Sequence, residues 1–219
     1  MKLTLFDLDH TLLDGDSDVL WCNYLIGKKI LDAASFSARN IDMEARYQAG
    51  TVGAQEFADF YVNTLTGKSP AQWDPLRKEF LMMEIIPRIT PAAIELVKTH
   101  LKAKDIVVMT TATNRFITEL TAAFFKIENL IATEPEMERG MFTGRTVGQL
   151  NMREGKIIRL NAWLNQCGLK LHECDSVAYS DSINDLPLLQ AVNHPVAVDP
   201  DAKLRAIAVK LHWPVLSLR

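Results

Sequence analysis

Five short apolar runs, at residues 3–6, 106–109, 130–132, 177–179 and 196–198, constrain this chain more than any other feature. Each is bounded by polar or turn-forming residues. Strands of a parallel sheet buried on both faces read this way, because neither face calls for polar side chains. The stretches between the runs carry helical spacing. One opens with Thr90-Pro91, a capping hydroxyl followed by proline at the first helical position. Others cover 115–125, 156–166 and 201–210. Strand alternating with helix predicts an open α/β sheet with helices on both faces.

Residues 15–86 break that rhythm. They show helical patterns at 18–26 and 54–65, a further start at Ser69-Pro70, and no strand pattern. The expectation is a core of residues 1–14 and 87–219, interrupted after its first strand by a smaller helical unit at 15–86. A length of 219 residues suits one domain with such an insert. Residues 139–148, with Gly140 and Gly144 flanking apolar positions, read as a small hairpin.

Composition excludes several classes. Against 24 Lys plus Arg stand 27 Asp plus Glu, a net charge of −3, which gives no electrostatic reason to expect nucleic acid or an acidic membrane as main partner. No apolar run approaches the roughly 20 residues that span a bilayer. Asp7 and Asp9 interrupt the first apolar stretch too early for a signal-peptide core. Cys22, Cys167 and Cys174 form no CxxC pair, which argues against a disulfide framework or closed zinc site and for a reducing, cytoplasmic compartment.

Four groups of residues carry chemistry. Asp7, Asp9 and Thr11 follow the first apolar run; residues two apart on an extended segment share a side, so both carboxylates face the ligand edge of the sheet. There one carboxylate can attack while the other moves protons, and both can hold a hard cation; the plainer reading is a polar strand end. Thr110, Thr111 and Thr113 close the second core run, where hydroxyls beside a helix N-terminus either bind an anion or cap the helix. Lys156 opens a helix, against the helix dipole, which is tolerable if it points at an anion. Asp181 and Asp185 follow the run at 177–179 and can converge on one cation. Together these are the parts of phosphoryl transfer.

In these motifs the sequence resembles the haloacid dehalogenase-like hydrolases, and most of all their subfamily IB branch of phosphoserine phosphatase-like enzymes. FDLDHT, TTATN, Gly155-Lys156 and SDSIND stand where that family has its four motifs, and residues 194–216 resemble the tail of subfamily IB. The resemblance implies a Rossmann-like core with a type 1 cap, and a magnesium-dependent phosphomonoester hydrolase acting on a small metabolite. It implies Asp7 as nucleophile and Asp9 as general acid/base. Thr111, with Thr110 as runner-up, Lys156 and Asn184 would contact phosphate. Asp7, Asp181, Asp185 and the carbonyl of Asp9 would hold Mg2+. Asp16 stands where phosphoserine phosphatases keep an acid for the substrate amine. Their cap arginine for the substrate carboxylate has no counterpart, since residues 50–67 hold no Arg or Lys. Phosphoserine is therefore not the expected substrate. Arg46, with Arg39 and Tyr47, is the other candidate for substrate contact, and His10 is expected at the surface. A phosphotransferase or mutase, and a phospho-acceptor without turnover, are the alternative readings. The oligomeric state is left open.

Overall fold

The computed structural model describes residues 1–219. Six strands, β1 (Lys2–Phe6), β2 (Ile106–Asn114), β3 (Asn129–Glu138), β5 (Asp175–Ser180), β6 (His194–Val198) and the short β7 (Val215–Leu216), pair in parallel. A seventh, β4 (Met141–Val147), runs antiparallel to β3. The order is β4-β3-β2-β1-β5-β6-β7. All five apolar runs lie in strands, and the α/β fold with an open, mostly parallel sheet is the one expected. β7 was not anticipated; two residues are too few to leave a pattern.

Period-two alternation sorts β1 between the two faces. Leu3 and Leu5 pack with Leu160 and Leu164 of α7 (Glu154–Gln166), Leu188 of α8 (Leu186–Ala191) and Leu204 of α9 (Ala202–Lys210). Phe6 points the other way, into a cluster with Val97 of α5 (Pro91–Lys102) and Ile117 of α6 (Arg115–Phe124). Thr90 caps α5 through the amide of Ala93, with Pro91 next, as the Thr-Pro pair predicts. Asp7 follows on the Leu3 and Leu5 side, towards α7.

Between β1 and α5 the chain is helical: α1 (Ser17–Gly27), α2 (Ala33–Ala49), α3 (Ala54–Val62) and α4 (Pro70–Phe80), followed by short turns to Arg88. Asp16 caps α1 through the amides of Asp18 and Val19. Ser69 and Gln72 form a reciprocal capping box on α4. Part of the insert shares the core beside α6: Trp21, Trp73 and Phe80 join the cluster of Phe6 and Phe116.

The expected hairpin is present, with a correction. Arg139 and Gly140, both at positive φ, make the turn. Gly144 lies inside β4, and a Cβ there would sit 2.1 Å from Thr66 Oγ1. Gly144 is a contact glycine that lets β4 meet the insert. The insert's loop completes the join, with Gly67 N–H donating to Phe142 O and Phe142 N–H to Lys68 O, both at 3.0 Å.

Candidate active site

β1 is the switch point of the sheet: its neighbours β2 and β5 carry the chain to opposite sides. Such a point opens a crevice at the carboxyl ends of the strands. There lies a cavity of about 350 Å³, lined by Asp7, Asp9, His10, Thr113, Asp181 and Asp185 from the core and by Asp16, Tyr47, Gln48 and Phe57 from the insert.

Lys156 organises the buried end. Its ammonium donates to Asp7 Oδ1 at 2.7 Å and Asp185 Oδ2 at 2.6 Å, with the side chain 2 % exposed. Gly155 permits the approach: a Cβ there would lie 2.1 Å from Leu150 O, so only glycine lets α7 start this close. Burial opposes the ammonium's charge, but Asp185 and Asp7 outweigh burial and raise its pKa. Burial acts on Asp7 more strongly than Lys156 does, and lifts its carboxyl to about 7. Asp185 also accepts from Ser180 Oγ at 2.8 Å.

Thr11 joins the two acidic turns. Its hydroxyl lies 3.1 Å from Asp7 Oδ2 and 2.9 Å from Asp181 Oδ1, and it accepts the amide of Asp181. One hydroxyl proton cannot satisfy two carboxylates at once. Burial, then the Asp7 charge, pushes the Asp181 carboxyl well above the usual range. Asp201 fixes this turn, accepting from Ile183 N–H at 2.6 Å while capping α9.

Asp9 is held apart from this cluster. Ser17 N–H donates to Oδ1 at 2.7 Å; Thr113 Oγ1 and Thr111 Oγ1 donate to Oδ2 at 2.9 and 3.2 Å. Thr111 is fully buried, and Ala112 and Thr113 form the cavity wall beside it. Thr110, the runner-up, instead accepts from Asn151 Nδ2 behind the strand.

The remaining expectations fare unevenly. Asp16 lines the cavity and also caps α1. Asn184 is turned elsewhere: its amide donates to Tyr47 O at 3.3 Å and its oxygen accepts from Arg153 at 3.2 Å. Arg46 is away from the cavity, because Glu56 takes it with two hydrogen bonds of 2.8 and 3.0 Å. Arg39 is spent on the rings of Phe36 and Phe60. Tyr47 does line the cavity. His10, expected at the surface, forms part of the wall at φ 56°, with Nε2 unpartnered. Arg219 borders the same cavity and is paired with Asp14 at 3.0 Å. The sequence reading missed Gln48, Phe57, Arg153 and Arg219. Thr113, read there as an anion ligand or a helix cap, instead donates to Asp9, and Asn114 caps α6.

The acids of the cavity are hard oxygen donors, the kind that hold magnesium. They meet in pairs, Asp7 with Asp181 through Thr11 and Asp7 with Asp185 through Lys156, and no three converge on one point. One lysine among these buried carboxylates leaves negative charge over, which a divalent cation offsets.

Comparison with known proteins places the chain in a family. The profile of the haloacid dehalogenase-like hydrolases matches residues 4–190. The chain is 40% identical, over 100% of its length and 99% of the relative's, to the histidinol-phosphatase of Neisseria meningitidis serogroup C (strain 8013). It is 31% identical to the phosphoserine phosphatase SerB1 of Mycobacterium tuberculosis (strain ATCC 25618 / H37Rv), covering 98% of this chain and 70% of that one. A crystal structure of a Bordetella pertussis Tohama I protein of unknown function superposes with a TM-score of 0.94 at 42% identity, over 100% of this chain and 99% of that one. A substrate-bound phosphoserine phosphatase shares the fold, with a TM-score of 0.72 at 16% identity over 98% and 92% of the two chains. No helix is long and apolar enough to cross a membrane. The chain belongs to the haloacid dehalogenase-like hydrolase family, and it is a phosphatase.

Proposed function

We propose that the protein hydrolyses the phosphate monoester of a small amine-bearing alcohol through an aspartyl-phosphate at Asp7, with histidinol phosphate as the leading substrate. The observation that carries the chemistry is the pairing of two carboxylates in different settings. Asp7 sits on the Lys156 ammonium at the cavity floor, and Asp9 is held by Ser17 N–H and two threonine hydroxyls. In this reading Asp7 Oδ attacks phosphorus and the ester P–O bond breaks. Asp9 protonates the leaving alkoxide, then takes a proton from the water that cleaves the acyl phosphate. Lys156 and Thr111 offset the charge on the phosphoryl oxygens. Asp7, Asp181, Asp185 and the Asp9 carbonyl would hold Mg2+, which neutralises phosphate charge when bound. Residues 15–86 act as the cap over the leaving group. Three free cysteines fit a reducing, cytoplasmic setting.

The substrate class follows from charge. Asp16 is buried in the wall and Asp18 is buried behind it. Burial, then Asp9, raises the Asp16 carboxyl well above its usual range; burial, then Asp16 and Asp9, does the same to Asp18. The charges acting on both are negative ones. A substrate ammonium would supply the missing cation. No insert residue lining the cavity is a lysine or arginine, and Arg219 is engaged by Asp14, so a substrate carboxylate finds no free partner. Histidinol phosphate carries an ammonium and no carboxylate; phosphoserine carries both. The name of the Neisseria relative supports the same choice.

The test is hydrolysis of para-nitrophenyl phosphate with magnesium and with chelator, beside Asp7→Asn. The expected result is metal-dependent turnover that falls at least about 10³-fold in the variant. Turnover that survives in Asp7→Asn would remove Asp7 as the nucleophile.

A further inference from the structure

We infer that Arg153 is a positioning residue that seats the C-terminal end of α2 over the active site, acting through Asn184 and the carbonyls of residues 50 and 52. Arg153 precedes α7 and adopts φ 53°, so it belongs to the same turn as Lys156. Its guanidinium reaches across to the insert. Nη2 lies 3.3 Å from Gly50 O and 3.2 Å from Val52 O, and Nε donates to Asn184 Oδ1 at 3.2 Å. Asn184 in turn donates to Tyr47 O. On the flank, Lys203 Nζ donates to Ala49 O at 3.0 Å.

The recipients are Gly50, the C-cap of a 17-residue helix, and Val52, two residues on in the loop to α3. The helix's last carbonyls lack helical partners and carry the negative end of the dipole, so cationic donors are the matching groups. Gly50 adopts φ 72°, which ends the helix and turns the chain towards α3. The last turn of α2 supplies Tyr47 and Gln48 to the cavity wall.

Two layers therefore join the same two core turns. In the inner layer Lys156 meets Asp185, and in the outer layer Arg153 meets Asn184. The inner layer sets the reacting groups. The outer layer sets the wall that faces the leaving group. Arg153 touches none of the reacting groups, so its effect is on the fraction of molecules with the wall in place.

This predicts a particular kinetic signature. A substrate that binds only the closed form has its apparent Kd divided by the closed fraction, and so raised, while saturating substrate restores closure. Steady-state kinetics with para-nitrophenyl phosphate and magnesium would be run on the wild type, Arg153→Ala and Arg153→Lys, with amide hydrogen exchange of residues 47–53. Arg153→Ala is expected to raise KM by about tenfold, leave kcat within about twofold, and speed exchange at 47–53. Arg153→Lys recovers only part of the KM, since one ammonium cannot replace a fork that serves three acceptors. Lys203→Ala, at an exposed site, shifts KM and exchange the same way by less, and serves alone if the arginine variant fails to fold. A fall in kcat at unchanged KM would overturn the inference by placing Arg153 in the chemical step. Unchanged exchange at 47–53 in Arg153→Ala or in Lys203→Ala would overturn it as well.

Discussion

The two walls of the cavity are built differently. On the core wall Asp7, Asp9, Asp181 and Asp185 each have a donor from the chain itself: Lys156, Thr11, Ser17, Thr113 or Ser180. On the insert wall Asp16 uses one oxygen to cap its own helix. Behind it, Asp18 Oδ1, Asn40 Oδ1 and the Tyr61 hydroxyl are buried with no partner. Burial, then Asp16 and Asp18, raises the Tyr61 phenol as well. Groups hydrogen-bonded by the chain are held in place before anything binds, with their surplus negative charge left for a divalent cation, which suits the bond-breaking machinery. Groups left without a cation are completed by what binds, which suits selection of the substrate.

That contrast can be broken at four places. Asp9→Asn keeps the hydrogen-bond frame and removes the proton carrier. It is expected to lower kcat by about 10²–10⁴-fold at nearly unchanged Tm. A loss of stability of the same rank would instead make Asp9 a structural residue. Lys156→Met leaves Asp7 and Asp185 buried without their cation and is expected to cost about 3–5 kcal/mol in metal-free denaturant unfolding. Gly144→Ala drives a Cβ into Thr66 Oγ1, which already bonds Asn63 O. A loss of about 1–3 kcal/mol is expected, together with freer exchange at residues 66–68.

Asp16→Asn sharpens the contrast with the smallest effect. Asparagine still caps α1 but sheds the buried charge. A carboxyl whose folded pKa is raised contributes stability that is full below its unfolded value, near 3.8, and lost as pH rises through the folded value. The variant escapes that loss. Its Tm is therefore expected to exceed the wild-type value by more at pH 8 than at pH 5, by about 2–4 °C for each kcal/mol relieved. Its KM for an amine-bearing phosphate ester is expected to rise about tenfold, a loss of about 1.4 kcal/mol. An unchanged KM would show that Asp16 is a cap alone.

The sequence was legible where position along the chain decides position in space. Strand parity places Asp7 towards α7, and the ends of β1, β2 and β5 gather Asp7, Asp9, Thr111 and Asp181 at one edge. Lys156 was legible for a related reason: a cation at a helix start is out of place without an anion. Reading failed where a partner far along the chain decides. Arg46 looks available until Glu56 pairs with it across the insert. Asn184 looks like a phosphate ligand until Arg153 and Tyr47 O claim both ends of its amide. Gly144 looks like a turn glycine, and only the approach of Thr66 explains it.

The most direct test of the division between the walls is release of inorganic phosphate from histidinol phosphate and from phosphoserine, by the same magnesium-loaded protein. A kcat/KM at least about tenfold higher for histidinol phosphate, a difference of about 1.4 kcal/mol, is the predicted result. Equal rates, or a preference for phosphoserine, would contradict an insert wall that selects an ammonium and offers a carboxylate no partner.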